Sequence, residues 1–345
     1  MSNITDRPNY IDMAKVLAIY AVILGHFAYY TGVPFSPNTG VTRVTHFVTL
    51  FHMPFFFIVT GIVSSFKVTS LADFTKRHLK TLLFPYILFS LILGGAWTAL
   101  NFFQTGDFRL FGKLLLGIVS GSDFRGCSVK WAGPMWFVYA LFFIKLIIAC
   151  GFTLKIKILR VIYFGVFLAG GCVMLYSSRN PLPFRIDSIL VGFIFVLIGF
   201  GGKKIILKMM DSKKHAIIAV CISALIIALF ECFYIDNSIS QGLSINANYY
   251  GTVPILFLLS GVSGTILILG LSRLFFVKRT IILTVSNGLL VYLAMHWVLY
   301  FGLSKFYCSS SVWLMFAMAF LVFVLCYPIV LFVTRFFPVL LGYRK

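Results

Sequence analysis

Residues 10–26, YIDMAKVLAIYAVILGH, place an aspartate, a lysine and a histidine in an otherwise apolar run. Lys15 and His26 are eleven positions apart, close to three helical turns, so on one helix they share a face and lie roughly 16 Å apart along its axis. Asp12 falls one turn before Lys15, where it can pair with it. An imidazole titrates near neutral pH and can take a proton from a hydroxyl, which makes His26 a candidate general base. The plainer readings are that Asp12 and Lys15 anchor a helix end at an interface and that His26 is a hydrogen-bonded bundle residue. Ionisable groups in hydrocarbon are costly, however, and each is a candidate functional group.

Other segments carry comparable groups. FHMPFFFIVTGIVSSF puts His52 where it can share a cavity with His26, with Pro54 able to bend the chain and Gly61 able to admit a close neighbour. SNGLLVYLAMHW sets Tyr292 and His296 at i, i+4 on one helix face. GPMWFVY contributes Trp136, and RIDSILVGFIF places Asp187 beside Arg185, either as a salt bridge or as substrate hydrogen-bonding groups. Glu231 is a further intramembrane acid of open role. FTKRHLKTLLFPY clusters Lys76, Arg77 and Lys80, which either enforce orientation or offer donors to a phosphate-rich ligand. His26, His46, His52 and His296 have no compact ligand spacing, so no metal site is expected.

The elements that must position these residues are membrane helices. The chain has 345 residues, of which 60% are hydrophobic and 11% charged, with mean hydropathy +1.00. A span needs about 20 apolar residues, and about ten such windows recur, near 13–32, 46–66, 82–102, 131–151, 160–176, 187–201, 216–235, 253–272, 282–303 and 312–334. The runs are continuous and do not alternate, which favours helices over a barrel. The expected fold is therefore all-α and polytopic, one integral membrane domain over 1–345. The net charge of +20 is distributed as topology and not as a nucleic-acid surface. Basic residues concentrate in alternate loops, around Lys67 to Lys80, Lys155 to Arg160, Lys203 to Lys214, Arg273 to Arg279 and the C-terminus, so both termini are expected in the cytoplasm.

The first apolar run is long and lacks a small-residue cleavage site after it, so it is expected to stay as an anchor. The seven cysteines form no Cys-x-x-Cys pair, and Cys127 and Cys308 are the two that fall in outer loops. Residues 103–134 have an apolar centre too short to span and suit an interfacial helix. The loop 234–252 is rich in Asn, Ser and Tyr, a lining able to hydrogen-bond a sugar, as an ordinary exposed loop also would be.

Taken in order, Lys15 and His26, FHMPFFFIVTG, KRHLKTLLFPY, MWFVYAL and VYLAMH resemble the integral membrane acyltransferase family 3, and especially its fucose 4-O-acetylase-like branch. The resemblance implies transfer of an acyl group, usually acetyl, from cytoplasmic acetyl-CoA as co-substrate to a hydroxyl of a polysaccharide or its lipid-linked precursor, at a bacterial plasma membrane. By position it implies His26 as catalytic histidine, Lys15 as the matching basic residue and Arg77 with Lys80 near the donor entrance. Asp12, Asp187, Tyr292 and His296 follow as positioning groups. Two departures stand out: Lys80 replaces a common arginine, and Gly288 occupies a position where a small hydroxyl residue is frequent. The competing class is a transporter of a glycan intermediate or organic acid, which would not consume acyl-CoA.

Overall fold

The computed structural model describes residues 9–31, 39–124, 126–177, 181–238, 243–275, 279–305 and 311–342. Among them the fold is helical apart from connecting loops, one hairpin, Asp123–Phe124 against Cys127–Ser128, and a single antiparallel bridge between Ser244 and Tyr249. The helices are α1 Asn9–Thr31, α2 Gly40–Thr49, α3 His52–Val63, α4 Leu71–His78, α5 Phe84–Phe89, α6 Gly95–Thr105, α7 Arg109–Val119, α8 Trp136–Thr153, α9 Lys157–Tyr176, α10 Ile186–Met209, α11 Lys213–Ser238, α12 Pro254–Leu274, α13 Arg279–Asn287, α14 Leu289–Ser304 and α15 Val312–Phe336. Among the described residues nine stretches are long and apolar enough to cross a membrane, and the bent pair α13–α14 makes a tenth if it counts as one span.

The first helix is the hub. It is apolar on nearly every side, and a helix of that kind belongs inside a bundle. Ala14, Ala18, Ile19, Val22 and Ile23 are buried, and α2, α3, α12, α13, α14 and α15 all pack on it. Lys15 and His26 therefore reside on the innermost element. By contrast α9, α11 and α15 turn Val161, Val166, Leu225, Phe320 and Phe332 outward, as a surface in contact with lipid does.

Three expected spans differ in detail. The span expected at 46–66 begins at Gly40 and is broken between α2 and α3, where Phe51 leaves helical geometry (φ −137°). The break lies before Pro54, which occupies the first turn of α3, where its missing N–H costs nothing. The helix expected from 82 starts at Leu71 and passes through π-helical turns at Leu79–Leu83 and Ser90–Gly94, so the basic cluster belongs to its first turns. The span expected at 282–303 is bent by 73° between α13 and α14, at Gly288. A side chain there would overlap Val330 of α15, so the position demands a glycine for packing.

In the 103–134 segment, α7 has eleven residues, too few to cross. It buries Leu114, Gly117 and Ile118 and exposes Leu115, Leu116 and Val119. Cys127 is a free thiol, and Cys308 lies outside the described residues, as do residues 239–242 of the 234–252 loop.

Helices α3 and α10 cross backbone to backbone. A Cβ on Gly61 would overlap the Val196 carbonyl, and one on Gly199 would overlap the Ile58 carbonyl. Both clashes are with backbone, which cannot swing aside. Gly61→Val is expected to destabilise the fold by about 3 kcal/mol or more, the upper range for overpacking, read as loss of folded protein in detergent-solubilised thermal unfolding. Wild-type stability in that variant would remove the crossing from the account of the fold.

Candidate active site

Three histidines from three helices meet next to α1. The His26 and His296 ring centroids are 5.0 Å apart, and those of His26 and His52 6.3 Å. Each ring sends Nδ1 to the carbonyl four residues earlier at 2.8 Å: His26 to Val22, His52 to Val48 and His296 to Tyr292. A carbonyl only accepts, so each Nδ1 carries the proton and each Nε2 bears a lone pair. His296 Nε2 lies 3.3 Å from His26 Nδ1, and so receives a second share of the same N–H. His26 Nε2 makes no hydrogen bond among the described residues. Held at one nitrogen and open at the other, His26 has the form of a base. Among the described residues no group of three or more His, Cys, Asp or Glu has metal-holding geometry.

Two chambers flank this cluster. One, of about 270 Å³, lies toward the Lys15 end between α1, α3, α8 and α14. Its wall is mostly apolar (Ile19, Met53, Phe56, Leu141, Leu290, Leu293), with Lys15, Thr60, Thr81 and Asn287 as its polar members. The other, also about 270 Å³, is lined by His26, His52, Tyr29, Trp136, Trp297, Ser244 and Asn246, again with Met53 and Leu293. The chambers thus adjoin at Met53 and Leu293, beside the imidazoles. A recess of about 40 Å³ opens from the second chamber beside His26 and reaches Gly25 and Thr49.

At the Lys15 end, Lys15 Nζ is 3.0 Å from Asp12 Oδ1 and 3.5 Å from Ser286 Oγ, and Ser286 donates to the same Asp12 oxygen at 2.7 Å. The network ties α1 to α13. Ser286, two residues before Gly288, supplies a hydroxyl to the acid–base pair. Lys76, Arg77 and Lys80 are exposed and outside the chamber wall, which their neighbours Thr81 and Leu82 form. Arg77 stacks over the Phe74 ring at 5.5 Å, and its carbonyl accepts from Thr81 Oγ1 at 3.0 Å.

Of the substrate-binding candidates, His52 and Trp136 line the second chamber and His296 stands directly behind His26. Tyr292 does not reach a chamber; its ring lies 5.1 Å from that of Phe323 on α15. Arg185 and Asp187 are fully buried behind the loop wall. Arg185 Nε donates to Gly121 O at 3.0 Å and Nη1 to Asn246 O at 2.7 Å, while Ser188 donates to Ile245 O at 3.0 Å. Together they fasten residues 243–247, which carry Ser244 and Asn246, onto the start of α10. The Asp187 oxygens have no hydrogen-bond partner of normal geometry, with the amides at the start of α10 and Arg185 as electrostatic neighbours. In that same loop, burial and the nearby Asp187 push the Tyr250 phenol well above its ordinary range. Glu231 does not join the cluster; it binds His46 Nδ1 at 2.7 Å and links α11 to α2.

Sequence reading missed Met53, Leu293, Trp297 and Ser286, while Ser244 and Asn246 belong to the 234–252 loop it had picked out as a polar lining. Trp297 and Ser286 flank residues already picked out in SNGLLVYLAMHW, whereas an apolar Met53 and Leu293 carry no chemical signal.

The family described as acyltransferase domain matches residues 9–333 of the chain. No curated protein and no solved structure matches it.

Proposed function

Because the chain belongs to the acyltransferase domain family over nearly its whole length, as a multi-pass membrane transferase of acyl groups, we propose that it moves acetyl from cytoplasmic acetyl-CoA to a hydroxyl of an exported or surface polysaccharide or its precursor. In this reading the Lys15 end and both termini face the cytoplasm of a bacterium, at the plasma membrane. The protein stands nearest the fucose 4-O-acetylase-like branch. The observation that carries the reading is the open His26 imidazole on the aromatic and polar chamber, which adjoins the apolar one at Met53 and Leu293.

Lys76, Arg77 and Lys80 meet the nucleotide phosphates outside the first chamber, with Lys80 giving a point charge where arginine would give a bidentate grip. The pantetheine arm occupies the apolar chamber past Lys15, and the thioester reaches Met53 and Leu293. The acceptor sugar lies on Trp136 and Trp297, whose faces suit its C–H surfaces, with Ser244 and Asn246 as hydrogen-bonding partners. His26 Nε2 takes the acceptor hydroxyl proton as the oxygen attacks the thioester carbon. The C–S bond breaks, and the imidazolium returns the proton to the leaving sulfur. Val22 O and His296 Nε2, both on the Nδ1–H, hold the ring and stabilise its positive form. An acyl-histidine route uses the same open nitrogen as nucleophile.

The test is the O-acetyl content of the host's surface glycans by NMR. Acetyl signals are expected to vanish on deletion and return with the wild-type gene. If deletion alters no acyl group, the transferase reading fails and export of a glycan intermediate takes its place.

A further inference from the structure

The recess beside His26 adjoins the aromatic chamber, with which it shares His26, His52 and Met53, and has a size of its own. It is lined by Gly25, His26, Thr49, His52, Met53 and Ile245, among others. Met53 lines all three cavities, so three voids converge on one side chain next to the imidazole. During acyl transfer the reacting carbon carries three organic substituents: the leaving sulfur, the incoming oxygen and the acyl chain. The apolar chamber accounts for the first and the aromatic chamber for the second. We propose that the recess takes the acyl group as a whole, its carbonyl included, with the reacting carbon at the mouth beside His26, and that it limits the transferred group to the size of acetyl.

This rests on the acyl-transfer reading above and adds a residue-level filter to it. A cavity needs roughly 10–15 Å³ to admit one water-sized group, so about 40 Å³ takes about three non-hydrogen atoms. An acetyl group has that number, whereas butyryl and succinyl exceed it. The far wall is built to be close. Gly25 contributes no side chain, and a Cβ there would stand 3.1 Å from Val48 Cγ2 and 3.9 Å from Thr49 Cγ2. Thr49 is buried and donates Oγ1 to His46 O at 2.8 Å, which commits its hydroxyl to the backbone and leaves Cγ2 toward Gly25. Thr49→Ser therefore deletes the wall methyl and keeps the hydrogen bond. Gly25→Ala adds a methyl to the same stretch of wall, against Val48 and Thr49.

The experiment uses host membranes carrying the full-length protein and its own acceptor. Isotopically labelled acetyl-, propionyl-, butyryl- and succinyl-CoA are supplied singly and in equimolar pairs, and labelled esters on released glycans are read by mass spectrometry. Wild type is expected to favour acetyl over propionyl at least about tenfold, the discrimination one methylene gives in a fitted pocket, with butyryl and succinyl lower still. Thr49→Ser raises the propionyl-to-acetyl ratio about tenfold, and Gly25→Ala lowers acetyl incorporation. Comparable incorporation of acetyl and butyryl by wild type overturns the filter without recourse to any variant. So does an unchanged ratio in Thr49→Ser present at wild-type abundance, the result if the recess holds only water. Failure of wild type to incorporate any of the four labels overturns the acyl-transfer reading itself, a distinguishable result.

Discussion

Alanine in place of His26 lowers acetyl transfer by about 10²–10⁴-fold, the range contributed by a positioned general base, with membrane abundance unchanged. The expectation follows from the division of labour on the ring. Nδ1–H is committed to Val22 O and His296 Nε2, so removing the ring removes the Nε2 that the mechanism uses as base and leaves His52 Nε2 as the open imidazole nitrogen on the aromatic chamber. His296→Ala has a smaller effect, about tenfold, because Val22 O still sets the His26 tautomer. The ordering of the two variants separates a base from its support. Full activity in His26→Ala, measured as label transferred from acetyl-CoA to glycan, would sink the mechanism. Rapid acid quench of wild type with labelled donor then distinguishes the two routes: acetyl trapped on His26 supports the covalent one, and its absence under ternary-complex kinetics supports direct transfer.

The second large effect is expected far from the imidazoles. Arg185→Ala destabilises the protein by about 3 kcal/mol or more, since two hydrogen bonds from a charged donor are each worth about 1.5–3 kcal/mol. The residue is held in left-handed geometry (φ 56°, ψ 31°) directly after Phe184 in the same region, a conformation that persists only where surroundings over-determine it. Those surroundings include Gly121, where a Cβ would come 2.7 Å from Arg185 Cγ. Arg185 bridges the carbonyls of Gly121 and Asn246, so it joins two loops that close one end of the bundle. Lysine cannot reproduce the fork, and Arg185→Lys is expected to behave nearly as Ala does. The readouts are thermal unfolding in detergent, proteolytic cleavage within residues 243–251, and the KM for acceptor, which rises as the Asn246 wall loosens while the KM for acetyl-CoA stays. Equal rises in both KM values would show a general loss of structure and remove Arg185 from acceptor positioning.

What the linear chain determined by itself follows from solvent. Hydrocarbon requires backbone bonds to be satisfied within a segment, so continuous apolar runs specify helical spans, and their number near ten was legible. The pairing of Asp12 with Lys15 was also legible, because one helical turn brings i and i+3 together whatever the tertiary fold. So was the common face of Lys15 and His26, a property of helix period alone. The ordered motifs were sufficient to indicate the acyltransferase family.

Tertiary structure decided what depends on separate helices meeting. The bend at Gly288 lies where a neighbour presses: Gly288 must be bare because Val330 lies against it, a fact about α15 that residues 286–297 cannot contain. Tyr292 and His296 share a helix face by spacing, yet only His296 reaches His26, because the Tyr292 ring is taken up by Phe323. Arg185 and Asp187 are polar residues two positions apart in sequence, and the loops folded over them bury both and make Arg185 a fastening. Met53 and Leu293 are ordinary apolar residues until two chambers adjoin at their side chains. Helical period acts along one segment and can be read from it, whereas cavities are formed by surfaces remote in sequence and exist only once the bundle closes.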